Sequence, residues 1–467
     1  MKLRSLLFLG GLAIAYSHRL IADQDAAGTE SAAANLQPAY CESVSQGPVR
    51  SLNLHSALKL ALCKNPAIVK ARSDIQAARL AYDAEDAKYA SELEFTVNEN
   101  YQTGDTSKIQ NLFATSTDPV EIRGTSERLY MSLRWTAPWW YKSEFKYEAA
   151  KSRLGIHLAE VRYARTEQDT IFSVYKAFLA AVVQDRKLRI ENQKLQAINE
   201  QSLVQQKNFN LGRSSELGVV IEEGNLLNQQ LAAGDTQELL ETKKSELLAL
   251  LGIKDDPAIV VEDHPLQART VDLQAFGIDK ALQYQSQETH IQIAQQAIEI
   301  DKHDDVWKPN ISTWAGYSPY IKSVGTSQGR EINDWVSVGV EVQVELPNFS
   351  ASEAAVKVAN HDKLVLSEQL QNIAEDTRSQ SRQLQQKLNK LIGQMDLLDK
   401  LQKVQERRVE AGRKSVELGS MNQLEFQVLQ SNLDATAMQR YDKLFDYLVA
   451  EAELKHLYGM EIVENIR

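Results

Sequence analysis

The chain has 467 residues, 43% hydrophobic and 25% charged, with 63 Asp and Glu against 52 Lys and Arg and a formal charge of −11. That length allows a substantial buried core, and the acidic balance argues against nucleic acid as a partner while suiting a solvated acidic surface or lumen. Beyond one short N-terminal run, no uncharged apolar stretch approaches the ~20 residues of a membrane-spanning helix, which excludes a helical membrane protein.

At the N-terminus, Lys2 and Arg4 precede an apolar run Leu6–Ala15 that ends in Ala13-Ile14-Ala15. Charge, apolar core and small-residue site together predict a secretory signal peptide over residues 1–22, cleaved after Ala15 or Ala22. Residues 23–50 form an Ala/Ser/Gln-rich leader with Pro38 and Pro48, expected to be extended. The two cysteines, Cys41 and Cys63, can form one disulfide in an exported chain. Cys41 is not placed like the acylated cysteine of a lipoprotein, so the N-terminus is expected to be unlipidated.

Residues 51–253 read as a first repeat. A short amphipathic helix over Leu52–Pro66 and a longer one over about Ile68–Tyr89 lead into a β-hairpin at 93–138. In Arg128–Pro138 one face carries Leu129, Met131, Leu133 and Trp135 and the other Arg128, Tyr130, Ser132 and Arg134. The period of two means strand. Leu93–Tyr101 alternates more weakly, and the polar stretch 102–127 is expected to be a connection. A helical hairpin over 139–253 follows. Residues 254–277, with Asp255-Asp256-Pro257 and His264-Pro265, form a linker.

Residues 278–460 repeat this order. A helix over about Ile278–Val306 precedes a β-hairpin at 310–347, with strands at Asn310–Pro319 and Trp335–Pro347 around a polar connection at 320–334. In the second strand Val336, Val338, Val340, Val342 and Val344 alternate with Ser337, Gly339, Glu341 and Gln343. A second helical hairpin covers 348–460, and 461–467 is a tail. Pro138 matches Pro347, and Gly212 with Gly252 recur as Gly419 with Gly459 at one constant offset. Internal repetition of this kind decides architecture before any motif does.

The ten prolines all lie outside 139–256 and 348–467, windows rich in residues that lose little rotamer freedom in a helix. Each window therefore reads as a helix of roughly 70 residues, about 100 Å at 1.5 Å per residue, a turn at Leu-Gly, and a second helix running back. Leu384, Leu388, Leu391, Met395 and Leu398 fall at heptad-like spacing, so the helices are expected to pair as coiled coils. The strands have about the length needed to cross a membrane, and Tyr101, Trp139, Trp140, Tyr141, Tyr320 and Trp335 sit at their ends, where an aromatic girdle lies. A half-buried sheet outside a membrane shows the same alternation. Four strands cannot close a barrel, so a membrane reading requires one shared between subunits.

Catalysis has little support. The chain has no Walker-type glycine loop, HExxH, CxxC or Gly-x-Ser-x-Gly, so no enzyme activity, metal or cofactor is expected. His303-Asp304-Asp305 with His290 is the best metal candidate, but consecutive helical residues diverge and a solvated face accounts for them.

These residues resemble the TolC-like outer-membrane efflux and secretion channels over essentially the whole mature length. Leu52-Asn53-Leu54-His55-Ser56-Ala57-Leu58 running into Asn65-Pro66 is similar to the family's opening helix. Pro138 and Pro347 precede long helices as in the family, although Trp139-Trp140-Tyr141 and Asn348-Phe349-Ser350 replace its usual glycine signature. Phe209-Asn210-Leu211-Gly212-Arg213 and Val416-Glu417-Leu418-Gly419-Ser420 resemble its periplasmic tips, and Leu251-Gly252 and Tyr458-Gly459 its helix ends.

The resemblance implies a mainly α homotrimer in which long antiparallel coiled-coil helices form an α-barrel, continued by a 12-stranded transmembrane β-barrel with four strands per protomer, set in outer-membrane lipid. It implies a passive exit duct of a tripartite efflux pump or type I secretion system, with helices extending into the periplasm. That duct docks a periplasmic adaptor and an inner-membrane transporter. Adaptor contact then falls on Leu211, Gly212, Arg213, Leu418, Gly419 and Ser420. Glu425 matches a pore-constricting acid, or is simply a solvated charge; Val428 and Gly218 stand where further acids are expected. The alternative is a soluble periplasmic coiled-coil adaptor or scaffold.

Overall fold

The computed structural model describes residues 41, 51–88, 91–106, 122–138, 141–253, 260–266, 277–303, 308–324, 330–345 and 349–463. The signal peptide at 1–22, the leader apart from Cys41, Trp139, Trp140, Asp304, Asp305, Pro347 and most of the linker lie outside them. In chain order the elements are β1 (Ser51–Leu52), α1 (Leu54–Lys64), α2 (Pro66–Lys88), β2 (Glu92–Thr106), β3 (Ile122–Pro138), α3 (Tyr141–Asn210), α4 (Glu216–Leu250), β4 (Val260–Val261), α5 (Leu282–His303), β5 (Lys308–Val324), β6 (Arg330–Glu345), α6 (Phe349–Glu417) and α7 (Gln423–Leu457). Two compact units result, one from Met1–Ala77, Leu158–Glu288 and Glu368–Arg467, the other from Ala78–His157 and Thr289–Ser367. Each takes segments from both halves of the sequence.

In the first unit, Asn53 and Ser56 close a reciprocal capping box that starts α1: Ser56 N–H donates to Asn53 Oδ1 at 2.8 Å and Asn53 N–H to Ser56 Oγ at 3.1 Å. Leu54, Ala57, Leu58, Leu60, Ala61 and Leu62 are all buried, so α1 is apolar nearly all round and sits inside a core with Val174, Phe178, Val182, Leu247 and Leu251. Pro66 opens α2, where its missing N–H costs nothing. Asn65 before it accepts from Ala67 N–H and donates to the Leu250 carbonyl, both at 2.8 Å. One carboxamide thus caps the start of α2 and satisfies a free carbonyl at the end of α4. Cys41 and Cys63 are disulfide-bonded, with Cα atoms 5.5 Å apart.

Helix lengths repeat with the sequence. The arms of the first hairpin, α3 and α4, have 70 and 35 residues, and those of the second, α6 and α7, have 69 and 35. The heptad positions Leu388 and Leu391 are buried with Leu444, Tyr447, Leu448 and Leu454 of α7, and Leu384 and Met395 pack on the same cluster.

The second unit holds one antiparallel sheet in the order β2-β3-β5-β6. Its register aligns Phe95, Leu133, Ala315 and Val338 in one row and Val97, Met131, Tyr317 and Val336 in the next. This apolar face is open, with Phe95 66% and Val338 77% exposed. On the other face Arg134 pairs with Glu341 at 3.1 Å, and the Trp314 ring lies where a Cβ on Gly339 would fall, 2.7 Å away. Glycine there is the seat of an aromatic ring. The strands run further into the polar connections than alternation predicts, reaching Thr106 and starting at Ile122, because ladder hydrogen bonds do not require apolar side chains. Tyr101, Tyr320 and Trp335 lie within strands.

This sheet corrects the expected barrel. Four strands form an open sheet in which β2 and β6 are each paired on one side only, and among the described residues nothing closes it. The outer-membrane location and the exit-duct function rested on that closed barrel, and both are corrected with it. No described helix is long and apolar enough to cross a membrane. Long paired helices dominate instead, which favours the coiled-coil adaptor or scaffold alternative.

Candidate functional site at the hairpin tips

The two hairpins reverse through the same backbone turn. Gly212 N–H donates to the Phe209 carbonyl and Arg213 N–H to that of Asn208, both at 2.8 Å; in the second hairpin Gly419 bonds Val416 and Ser420 bonds Ser415, at 3.0 and 2.9 Å. These are Schellman turns, which require a left-handed residue after the helix. Gly212 and Gly419 supply it at φ 70° and 73°. The outgoing helices are then capped by Ser215, which accepts from Gly218 N–H at 3.2 Å, and by Asn422, which accepts from Glu425 N–H at 2.8 Å. Both tips present a bare leucine, Leu211 at 67% and Leu418 at 83% exposure.

Glu425 is exposed in the first turn of α7, where a carboxylate complements the helix dipole. The sequence puts Gly218 at the corresponding place in the first hairpin, and the structure explains the exchange. A Cβ on Gly218 would lie 2.7 Å from Gln205 Nε2, which donates to Ser214 Oγ at 2.7 Å. In the second hairpin the glycine is on the other arm: Gly412 takes the place of Gln205 and is covered by Leu429, Phe426 and Met421. Each tip packs a side chain from one arm over a glycine on the other, with polar filling in the first hairpin and apolar filling in the second.

A polar link joins the hairpins behind the tips. Gln427 Nε2 of α7 donates to Gln201 Oε1 of α3, and Gln201 Nε2 donates to Glu222 Oε1 of α4 at 3.0 Å. Glu222 is buried, and its Oε2 has no partner among the described residues. Sequence reading missed these three residues. Gln and Glu are ordinary helix formers, and the only signal is a polar residue at a core-facing position.

The structure gathers Leu211, Gly212 and Arg213 at one tip and Leu418, Gly419 and Ser420 at the other. Among the described residues no group of three His, Cys, Asp or Glu is placed to hold a metal, and His303 packs edge-on against Tyr147 with ring centroids 4.8 Å apart.

No protein-family model matches the chain. No curated protein matches it by sequence. Solved structures do match it. The channel-forming CusC has a TM-score of 0.69 at 15% identity, covering 91% of this chain and 98% of that one. The outer-membrane protein VceC of Vibrio cholerae has 0.67 at 14%, covering 88% and 97%. The open state of the Neisseria gonorrhoeae outer-membrane channel MtrE has 0.66 at 12%, covering 89% and 90%. Identities this low carry the fold alone. Across most of its length the chain has the fold of the TolC-like outer-membrane efflux channels.

Proposed function

We propose that the chain is an exported, non-catalytic coiled-coil scaffold that docks a helical partner protein through its two hairpin tips and works as a homotrimer. The observation that carries this reading is the pair of exposed leucines, Leu211 and Leu418, held on matching Schellman turns. A scaffold without a partner gains nothing from placing large apolar side chains in water. Arg213, Ser420 and Glu425 supply the polar rim. The partner is a periplasmic adaptor protein and, through it, an inner-membrane transporter. Export is supported by the Lys2/Arg4 leader and by the Cys41–Cys63 bond, which suits an oxidising compartment. Among the described residues the outer edges of β2 and β6 are unpaired, and these edges and the open apolar face between them are surfaces that further copies of the chain would cover.

Photo-crosslinking groups placed in cells at Leu211, Leu418 and, for contrast, Leu239 in the middle of α4 test the reading. Tip positions are expected to capture a coiled-coil protein and Leu239 to capture none. Equal capture at all three positions, or none at the tips, sinks it. Sedimentation of the purified chain as a monomer removes the homotrimer.

A further inference from the structure

Between α3 and α4 on one side and α6 and α7 on the other lies a cavity of about 620 Å³, within the range that holds a small ligand. Seven of its sixteen lining residues are Asn or Gln and none is aromatic, so it offers paired donors and acceptors rather than stacking surfaces. Its charges are sorted by position. Arg413 follows Gly412, which packs on Phe426 and Leu429. Asp434 lies five to eight residues further along α7, about 7–12 Å away at 1.5 Å per residue.

The two ends differ in their neutralisation. Among the described residues Arg413 has no ion-pair partner. Beside Asp434 stand Glu191 and Lys194, which pair with each other at 3.7 Å, and Gln229 also donates to the Glu191 carboxylate, which leaves Asp434 as the carboxylate without an ion-pair partner among the described residues. That end therefore holds two carboxylates for one ammonium. Burial pushes the Asp434 carboxyl above its usual range and Glu191 adds to the rise, while Lys194 opposes it without cancelling it. One end lacks a cation and the other an anion. The carboxamides of the lining, Asn225, Asn228 and Gln430 among them, match the donors and acceptors of a peptide backbone.

We propose that this cavity binds a short linear peptide in its zwitterionic form, with its ammonium at Asp434, its carboxylate at Arg413 and its peptide groups on the carboxamides of the lining. About three residues, at 3.3–3.6 Å each, span the separation of the charges. This site is separate from the docking leucines and does not depend on them.

Calorimetric titration of the purified full-length chain with trialanine tests the assignment. Saturable binding of one peptide per chain is expected. Acetylating the peptide's amine, amidating its carboxylate, Asp434→Asn and Arg413→Gln are each expected to weaken it at least about tenfold, the size of a lost charged hydrogen bond. Acetylation should cost little more once Asp434 is Asn, because both changes remove the same contact. The peptide-side changes leave the protein untouched, so misfolding cannot mimic their effect. Absence of saturable heat at millimolar trialanine overturns the proposal, as does equal binding of the acetylated, amidated peptide.

Discussion

The chain makes the same turn in two kinds of place. At the tips, a Cβ on Gly212 or Gly419 would meet nothing within 4 Å. At the opposite ends of α4 and α7, Gly252 and Gly459 adopt nearly the same left-handed backbone, but a Cβ there would lie 2.8 Å from the Lys64 carbonyl oxygen and 2.6 Å from that of Lys280. The inner turns are pressed against the chain before α2 and α5, and the outer ones are free. One backbone motif thus serves packing at one end of a hairpin and presentation at the other, and the surroundings of the glycine decide which.

The largest effect should come from the inner end. Gly252→Ala pays for both the left-handed backbone, about 1–2 kcal/mol, and the clash with Lys64, about 1–3 kcal/mol. Chemical denaturation should show a loss of about 2–5 kcal/mol from these two causes. A loss no greater than that at a tip glycine would break the distinction. The Cys41–Cys63 bond ties residue 41 to the residue preceding Lys64 across a sequence separation of 22. Replacing both cysteines with Ala should cost about 3 kcal/mol in the oxidised protein, and reductant should then have no further effect on the midpoint.

At the tips, Gly212→Ala and Gly419→Ala should each cost only about 1–2 kcal/mol, from the backbone alone. Leu418→Ser should change stability by less than about 0.5 kcal/mol yet lower partner capture by a crosslinker at Leu211. If stability falls instead, Leu418 is a packing residue.

Asp434 gives the smallest effect, read as a direction. Its folded pKa is raised above the ordinary 3.8, so the folded chain is favoured when the carboxyl is protonated and loses stability as pH climbs from below 3.8 through the raised value. Asp434→Asn should therefore raise the melting temperature at neutral pH, with the gain disappearing below 3.8. A gain independent of pH would mean that burial of charge is not its cause.

The sequence disclosed the long helices because all ten prolines lie outside two long windows, and a Leu-Gly pair inside an otherwise helical pattern marks a turn. It disclosed the strands through the valines at 336–344. What it left hidden depends on contacts between distant segments. Alternation shows that Val338 and Phe95 share an apolar face but not what covers that face, and the expected barrel went beyond that evidence. Nor does it reveal that Gln201 meets Gln427, or that Gln205 occupies the space above Gly218. Asn65-Pro66 was visible as a motif, but its reach to the Leu250 carbonyl was not.

The matched arm lengths carry a consequence for how such a chain can change. Because Gln201 and Gln427 touch, the tips of the two hairpins must end at compatible heights. Seven residues added to each arm of one hairpin preserve its own heptad seam while moving its tip about 10 Å past the other. An insertion in one half is therefore compatible with the joint tip only when its twin arrives in the other, so the two repeats can lengthen or shorten only in step.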